Sequence, residues 1–151
     1  MKIAISSDHG GFELKEFVVR LLNDLGHEPL DLGCHSIEPV DYPDYASQVA
    51  RRVLQGEAER GILICGTGLG MSIAANRFRG IRATLVNDLY LARMSREHTD
   101  SNILVLGGRV TAKGLAEEIV RVWLKTEFAG NRHSRRLEKI AAIEEDIPGN
   151  C

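Results

Sequence analysis

The chain has 151 residues, with 19 Lys and Arg against 21 Asp and Glu and a formal net charge of -2. That length suits a single compact domain over residues 1–151, and the near-neutral balance gives no reason to expect a nucleic-acid partner. The N-terminus runs straight into a strand pattern with no leading apolar segment to target or anchor it, so a soluble cytoplasmic protein without a membrane partner is expected; Cys34, Cys65 and Cys151 fit neither a disulfide framework nor a zinc site and read as reduced thiols.

In chain order, Lys2 to Ser6 predicts the first strand, followed by Ser7-Asp8-His9-Gly10-Gly11. From Gly11 to Leu25, Phe12, Phe17, Val18, Leu21, Leu22 and Leu25 recur at helical spacing until Gly26 stops them. A second strand is predicted over Glu28 to Leu32. A helix follows from Pro43, suited to a first helical turn, to Leu54, with Gly56 beyond its end. The apolar run Ile62 to Ile64, ending at Cys65, reads as a buried parallel strand and Ser72 to Asn76 as the helix after it. Then come a fourth strand (Arg82 to Val86), a helix (Asp88 to Glu97), a fifth strand (Ile103 to Leu106) and a helix (Ala112 to Leu124). This alternation predicts an α/β fold, an open doubly wound sheet of about five parallel strands flanked by helices, with ligands beyond the carboxyl ends of the strands.

Chemistry gathers at those ends. Cys65 opens onto Gly66-Thr67-Gly68-Leu69-Gly70, whose backbone N–H groups can hold a phosphate or a developing oxyanion. A Walker-type loop needs Lys and then Ser or Thr after its last glycine, and Met71-Ser72 stands there instead. A dinucleotide fingerprint needs Gly or Ala at position 71, although Asp88 could serve as its acidic residue. A loop for a small anionic substrate, with the Cys65 thiol as base or nucleophile, fits best; a buried cysteine can equally be a small hydrophobe ending a strand. Asp8 and His9 end the first strand and Gly107-Gly108-Arg109 the fifth. Taken alone, Asp8 could be a helix cap and His9 a structural loop histidine.

His98 stands where a cation would rest at a helix C-terminus. The run Gly130-Asn131-Arg132-His133-Ser134-Arg135-Arg136 opens a final helix with Leu137, Ile140 and Ile143 on its apolar side. Arg132 and Arg136, four apart in a first turn where cations oppose the macrodipole, call for an external anion such as phosphate.

Several motifs together resemble the type B ribose-5-phosphate isomerases, within the sugar-phosphate isomerase family that includes the galactose-6-phosphate isomerase subunits. They are Ser7-Asp8-His9-Gly10-Gly11, Asp41-Tyr42-Pro43, Ile64-Cys65-Gly66-Thr67-Gly68 through Ser72-Ile73-Ala74-Ala75-Asn76, Gly80-Ile81-Arg82-Ala83, Ser95-Arg96-Glu97-His98 and Gly130-Asn131-Arg132-His133. The resemblance covers nearly the whole chain. It implies a Rossmann-like fold in homodimers, sometimes paired into tetramers, with a C-terminal helix reaching the partner and sites shared at the interface. It implies a metal-free, cofactor-free aldose–ketose isomerisation of a sugar phosphate through an enediolate. Cys65 would move the proton between C1 and C2 while the N–H groups of Gly66, Thr67, Gly68, Leu69 and Gly70 hold the enediolate oxygens. His98 would assist ring opening with Thr67 nearby, and Asp8 would handle hydroxyl protons. His9, Arg109, Arg132 and Arg136 would bind phosphate, the last two from the neighbouring subunit, with His133 a secondary contact and Tyr42 lining the sugar pocket. Met71 follows the cysteine branch, since the other branch places a catalytic Glu there. Thr99 stands where the family usually has Asn, so allose 6-phosphate, galactose 6-phosphate or another pentose phosphate stays open beside ribose 5-phosphate. A nucleotide-binding module and a catalytically weak subunit of a hetero-oligomer are the alternatives from other classes.

Overall fold

The computed structural model describes residues 1–146, so Cys151 lies outside the described residues. Its strands are β1 (Lys2–Ser7), β2 (Glu28–Asp31), β3 (Arg60–Cys65), β4 (Ala83–Leu85) and β5 (Ile103–Gly107). Its helices are α1 (Phe12–Asp24), α2 (Tyr42–Leu54), α3 (Leu69–Ala75), α4 (Leu89–Glu97), α5 (Lys113–Lys125) and α6 (Arg132–Asp146). The elements follow the order expected from the sequence. The clearest difference is α3, which begins at Leu69 rather than Ser72 because Gly68, at φ 82, turns the chain directly into the helix.

All five strands are parallel, in the order β2-β1-β3-β5-β4. The connections β1 to β2 and β4 to β5 step one way across the sheet and carry α1 and α4 on one face. The steps β2 to β3 and β3 to β4 go the other way and carry α2 and α3 on the other. Reversing both direction and face keeps every crossover right-handed. The first face buries Ile3, Ile5, Ile62, Ile64, Leu104 and Leu106 under α1, α4 and α5. The second buries Ala4, Leu63, Cys65, Ile103 and Val105 under α2 and α3. Because side chains alternate along a strand, Cys65 lies on the α2–α3 side. No helix among the described residues is long and apolar enough to cross a membrane.

One buried charge braces this frame. Lys15 of α1 has no exposed surface, and its Nζ meets Asp31 Oδ2 at 2.6 Å and Glu16 Oε1 at 2.9 Å. Asp31 Oδ1 accepts the Gly33 N–H at 2.9 Å, while Ser7 N–H donates to the Gly33 carbonyl and Cys34 N–H to the Ser7 carbonyl. The segment after β2 is thereby tied to the residue preceding Asp8. Replacing Lys15 by Met keeps the packing but strands Asp31. Because that carboxylate is partly exposed, water offsets some of the loss, and unfolding should become easier by about 1–3 kcal/mol. Urea denaturation should show a lower midpoint at unchanged slope; an unchanged midpoint would remove this pair from the fold's supports.

Candidate active site

At the strand-end edge, Cys65 closes β3 and is 4 % exposed. Its Sγ accepts the Gly68 N–H at 3.1 Å, and Thr67 Oγ1 accepts the Leu69 N–H at 3.3 Å. With only seven residues, α3 contributes little macrodipole. The donors that matter are individual N–H groups, and those of Gly70 and Met71 in the first turn have no intrahelical acceptor. Asp8 takes the Gly11 N–H on Oδ1 at 3.1 Å, at the strand-end edge beside Cys65's loop; Gly11 is itself the N-cap of α1 and no side chain caps that helix, so Asp8 holds the turn before the helix rather than capping it. His9 Nδ1 accepts the Val40 N–H at 3.2 Å, which in the neutral ring leaves Nε2 as the outward donor.

The loops here meet backbone to backbone. Gly108 N–H donates to the Cys65 carbonyl at 2.7 Å and Arg109 N–H to the Gly66 carbonyl at 3.0 Å. A Cβ on Gly108 would lie 2.7 Å from the Gly10 carbonyl oxygen, and one on Gly66 would lie 3.4 Å from the Arg109 guanidinium. Tyr42, at the start of α2, sets its ring so close to Gly70 that a Cβ there would be 2.6 Å from it. Asp8, His9, Tyr42, Gly66, Thr67, Gly68, Leu69, Gly70 and Arg109 are therefore one cluster.

His98 and Thr99 are not in it: His98 stands at the C-terminus of α4, where the sequence placed it, and within one chain Thr67 is not beside it. Helix α4 runs back against the strands, and His98 caps its C-terminus where the chain turns into β5. Gly61 N–H donates to the Asn102 carbonyl, so this turn lies beside the start of β3, whereas Cys65 pairs with Gly107 at the other end. Four strand steps, about 13 Å, separate the two edges.

His98 has its own company. The His133 ring stacks on it with centroids 4.2 Å apart and planes 12° from parallel. Ala129 N–H donates to the Glu97 carbonyl at 3.0 Å, bringing the start of α6 against the end of α4. Arg132 and Arg136 are exposed, and among the described residues no carboxylate pairs with either. Thr99 Oγ1 donates to the Ser95 carbonyl at 2.6 Å, so outward it offers lone pairs and a methyl group. A groove of about 270 Å³ lined by Leu85, Val86, Leu91 and Met94 adjoins His98 and Thr99.

Asp88, weighed as the acidic residue of a dinucleotide site, instead caps α4 by accepting the Leu91 N–H at 2.8 Å. Residues that sequence reasoning left without a role tie the start of β4 to the end of α3 and to the turn before β5. Asn76 pairs with both the N–H and carbonyl of Ala83, at 2.9 and 2.8 Å, and Asn102 bridges the Arg82 N–H and the Gly80 carbonyl. Each lies within or beside a recognisable motif, but a side chain bonding backbone leaves no periodic trace. Among the described residues no three His, Cys, Asp or Glu side chains converge as a metal site.

Three comparisons bear on this arrangement. A family model described as Ribose/Galactose Isomerase matches residues 3–140. Ribose-5-phosphate isomerase B of Escherichia coli (strain K12) is 51% identical over 144 residues, 95% of this chain and 97% of that one. Solved structures of Clostridium thermocellum ribose-5-phosphate isomerase B (55% identity, TM-score 0.95, covering 96% of this chain and 98% of that one) and of the Mycoplasma genitalium enzyme with bound ribulose-5-phosphate (38%, 0.92, 97% and 97%) share the fold.

The His133 imidazole carries a pH signature. Burial, then the neighbouring His98, Arg132 and Arg136, hold its pKa below the ordinary histidine value, against a weaker upward pull from Glu97. The unfolded chain therefore binds the proton more readily, and stability should fall as pH drops below about 6.5. His133→Gln should flatten that acid limb of the thermal midpoint, and an identical pH profile would remove His133 as its source.

Proposed function

The chain belongs to the ribose/galactose isomerase family, and we propose that it interconverts ribose 5-phosphate and ribulose 5-phosphate in a site built from two copies of a single isomerase domain. The observation that carries the two-copy reading is the separation of Cys65 from His98 across the sheet. Within one chain the proton-transfer cysteine and the ring-opening histidine cannot share a five-carbon sugar. A second copy, placing its His98, His133, Arg132 and Arg136 against the Cys65 loop, completes the set. Exposed Leu69 and Ile73 on α3 flank that loop, and Ile140 and Ile143 lie exposed on α6; such apolar surfaces support a covered interface.

The chemistry then divides. His98 donates a proton to the ring oxygen as the C1–O bond breaks and Asp8 takes the anomeric hydroxyl proton, giving the open aldose. The Cys65 thiolate removes the C2 proton, charge moves onto the carbonyl oxygen, and loop N–H groups receive it. Passage of the O2 hydroxyl proton to O1, with Asp8 as the relay, and return of the carbon proton to C1 give the ketose. The enediolate alone carries that extra charge, so the loop stabilises it more than either sugar. Phosphate would sit among His9, Arg109 and the second copy's Arg132 and Arg136, with His133 beside them and Tyr42 along the sugar.

Two expectations follow. Cys65→Ser should bind inorganic phosphate almost normally but lose most turnover, because a hydroxyl is a far weaker acid than a thiol and hence seldom available as a base. His98→Asn should also be nearly inactive on ribose 5-phosphate. Refolded together in equal amounts, the two chains should give about half mixed dimers, each with one intact and one doubly damaged site, and recover about a quarter of parent activity. Verified mixed dimers without recovery would return both residues to one chain's site.

The hydroxyl of Thr99, committed to Ser95, gives the sugar no donor. Thr99→Asn restores one and should shift discrimination between pentose and hexose phosphates by on the order of 1–3 kcal/mol, in favour of ribose 5-phosphate. Unchanged kcat/KM ratios across a panel of aldose phosphates would make Thr99 a neutral replacement.

A further inference from the structure

Asp100 sits two residues beyond His98 with a left-handed backbone, φ 44, that an L residue adopts reluctantly. It also places a carboxylate at the C-terminus of α4, where the macrodipole disfavours an anion. Two guanidiniums offset this. Arg96 Nη1 meets Oδ1 at 2.8 Å and Arg82 Nη2 meets Oδ2 at 3.1 Å.

The arginines do more than neutralise it. Arg82 Nε donates to the carbonyls of Thr99 and Asp100, both at 3.0 Å, and Nη2 reaches the Asp100 carbonyl at 2.9 Å. Its own backbone N–H is held by Asn102 Oδ1 at 2.8 Å. Arg96, almost fully buried, donates to the carbonyls of Ser101 and Thr126, and its guanidinium lies 5.9 Å from the Trp123 ring. The peptide units on both sides of Asp100 are thus fixed from two directions. Through Thr126, the same cluster reaches the segment that leads to His133.

We propose that Asp100, gripped by Arg82 and Arg96, is a positioning residue that aims the His98 imidazole at the sugar ring. Asp100 keeps 35 % of its side-chain surface, so water offsets part of what the pair contributes to stability, although Arg96 is nearly buried. What a two-armed grip on a strained turn supplies is direction, and the side chain it directs is the one immediately before Thr99. The proposal rests on His98 acting in ring opening, so the experiment keeps the two ideas apart.

Ring opening concerns the aldose alone. Ribulose 5-phosphate is open-chain, because its C5 oxygen carries the phosphate. Exchange of its C1 proton with D2O, followed by NMR, therefore reads Cys65 chemistry without ring opening. Asp100→Asn and Asp100→Gly both suit φ 44, and either can be tested once its thermal midpoint shows it folded. Turnover of ribose 5-phosphate should fall on the order of ten- to a hundredfold, as for a displaced proton donor. C1 exchange should stay within about twofold of the parent, and His98→Asn should show the same split. A merely structural role would lower both rates together. Parallel loss of both rates in the Asp100 variants, or parent turnover in them while His98→Asn is impaired, would overturn the positioning role alone. Parent turnover in His98→Asn would instead overturn the ring-opening reading, and this proposal with it.

Discussion

A helix that returns the chain between parallel strands must run against them, and this constraint governs everything the protein does. Loops leaving β1, β3 and β5 emerge at one edge of the sheet, while the C-terminus of α4 is delivered to the other. Chemistry encoded after a strand and chemistry encoded after a helix are separated by the strand's own length. Cys65 belongs to the first class and His98 to the second, so no adjustment of loops within one chain unites them. In the two-copy reading proposed above, a symmetric pair would present the opposite edge of one copy to the loops of the other.

The two edges are held by different forces. At the strand ends the loops approach so closely that side chains are excluded: a Cβ on Gly11 would lie 2.4 Å from the Ile64 carbonyl oxygen. Contacts of this kind are steric and backbone-borne, and they set donor positions within tenths of an ångström, as stabilising a developing oxyanion requires. At the other edge the geometry is held by charge, with Arg82 and Arg96 converging on Asp100 and the start of α6 joined by a single Ala129-to-Glu97 backbone bond and a stacked imidazole pair. On the roles proposed above, the steric edge would hold the oxyanion donors and the charge-held edge the proton donor to the ring oxygen.

Much of this was legible before any coordinates. The alternation of short apolar runs with amphipathic stretches placed every strand and helix in order, because periodicity survives in a single sequence. The Cys65 loop, Asp8, His9 and Arg109 were grouped correctly, since the carboxyl ends of parallel strands share an edge by rule. His98 was read at the C-terminus of the helix before the fifth strand, where it stands, and the same rule puts it away from the Cys65 loop: a residue preceding a strand lies at the edge opposite its end. The role of Asp100 was hidden more deeply. Its partners stand 4 and 18 positions away, one on a helix and one beside an edge strand, and no spacing rule joins those distances. Thr99 illustrates a third kind of limit, because a hydroxyl can turn toward the sugar or back onto its own helix, and only the 2.6 Å contact with Ser95 distinguishes them.

The unpaired cations of α6 complete the argument. Arg132 begins the helix and Arg136 follows in its next turn, an unfavourable placement for positive charge, and among the described residues neither has a carboxylate partner. Arg82 and Arg96, equally cationic, are committed to Asp100 and to backbone carbonyls. The chain can therefore satisfy its arginines internally, and at the start of α6 it does not. In the proposed reading, an anion brought by the substrate would relieve that repulsion, and binding the phosphate would stabilise the helix start against which His98 stacks through His133. With the roles proposed above, phosphate recognition and the setting of the ring-opening group would be coupled through one helix end, although the phosphate and the ring oxygen lie at different places on the sugar.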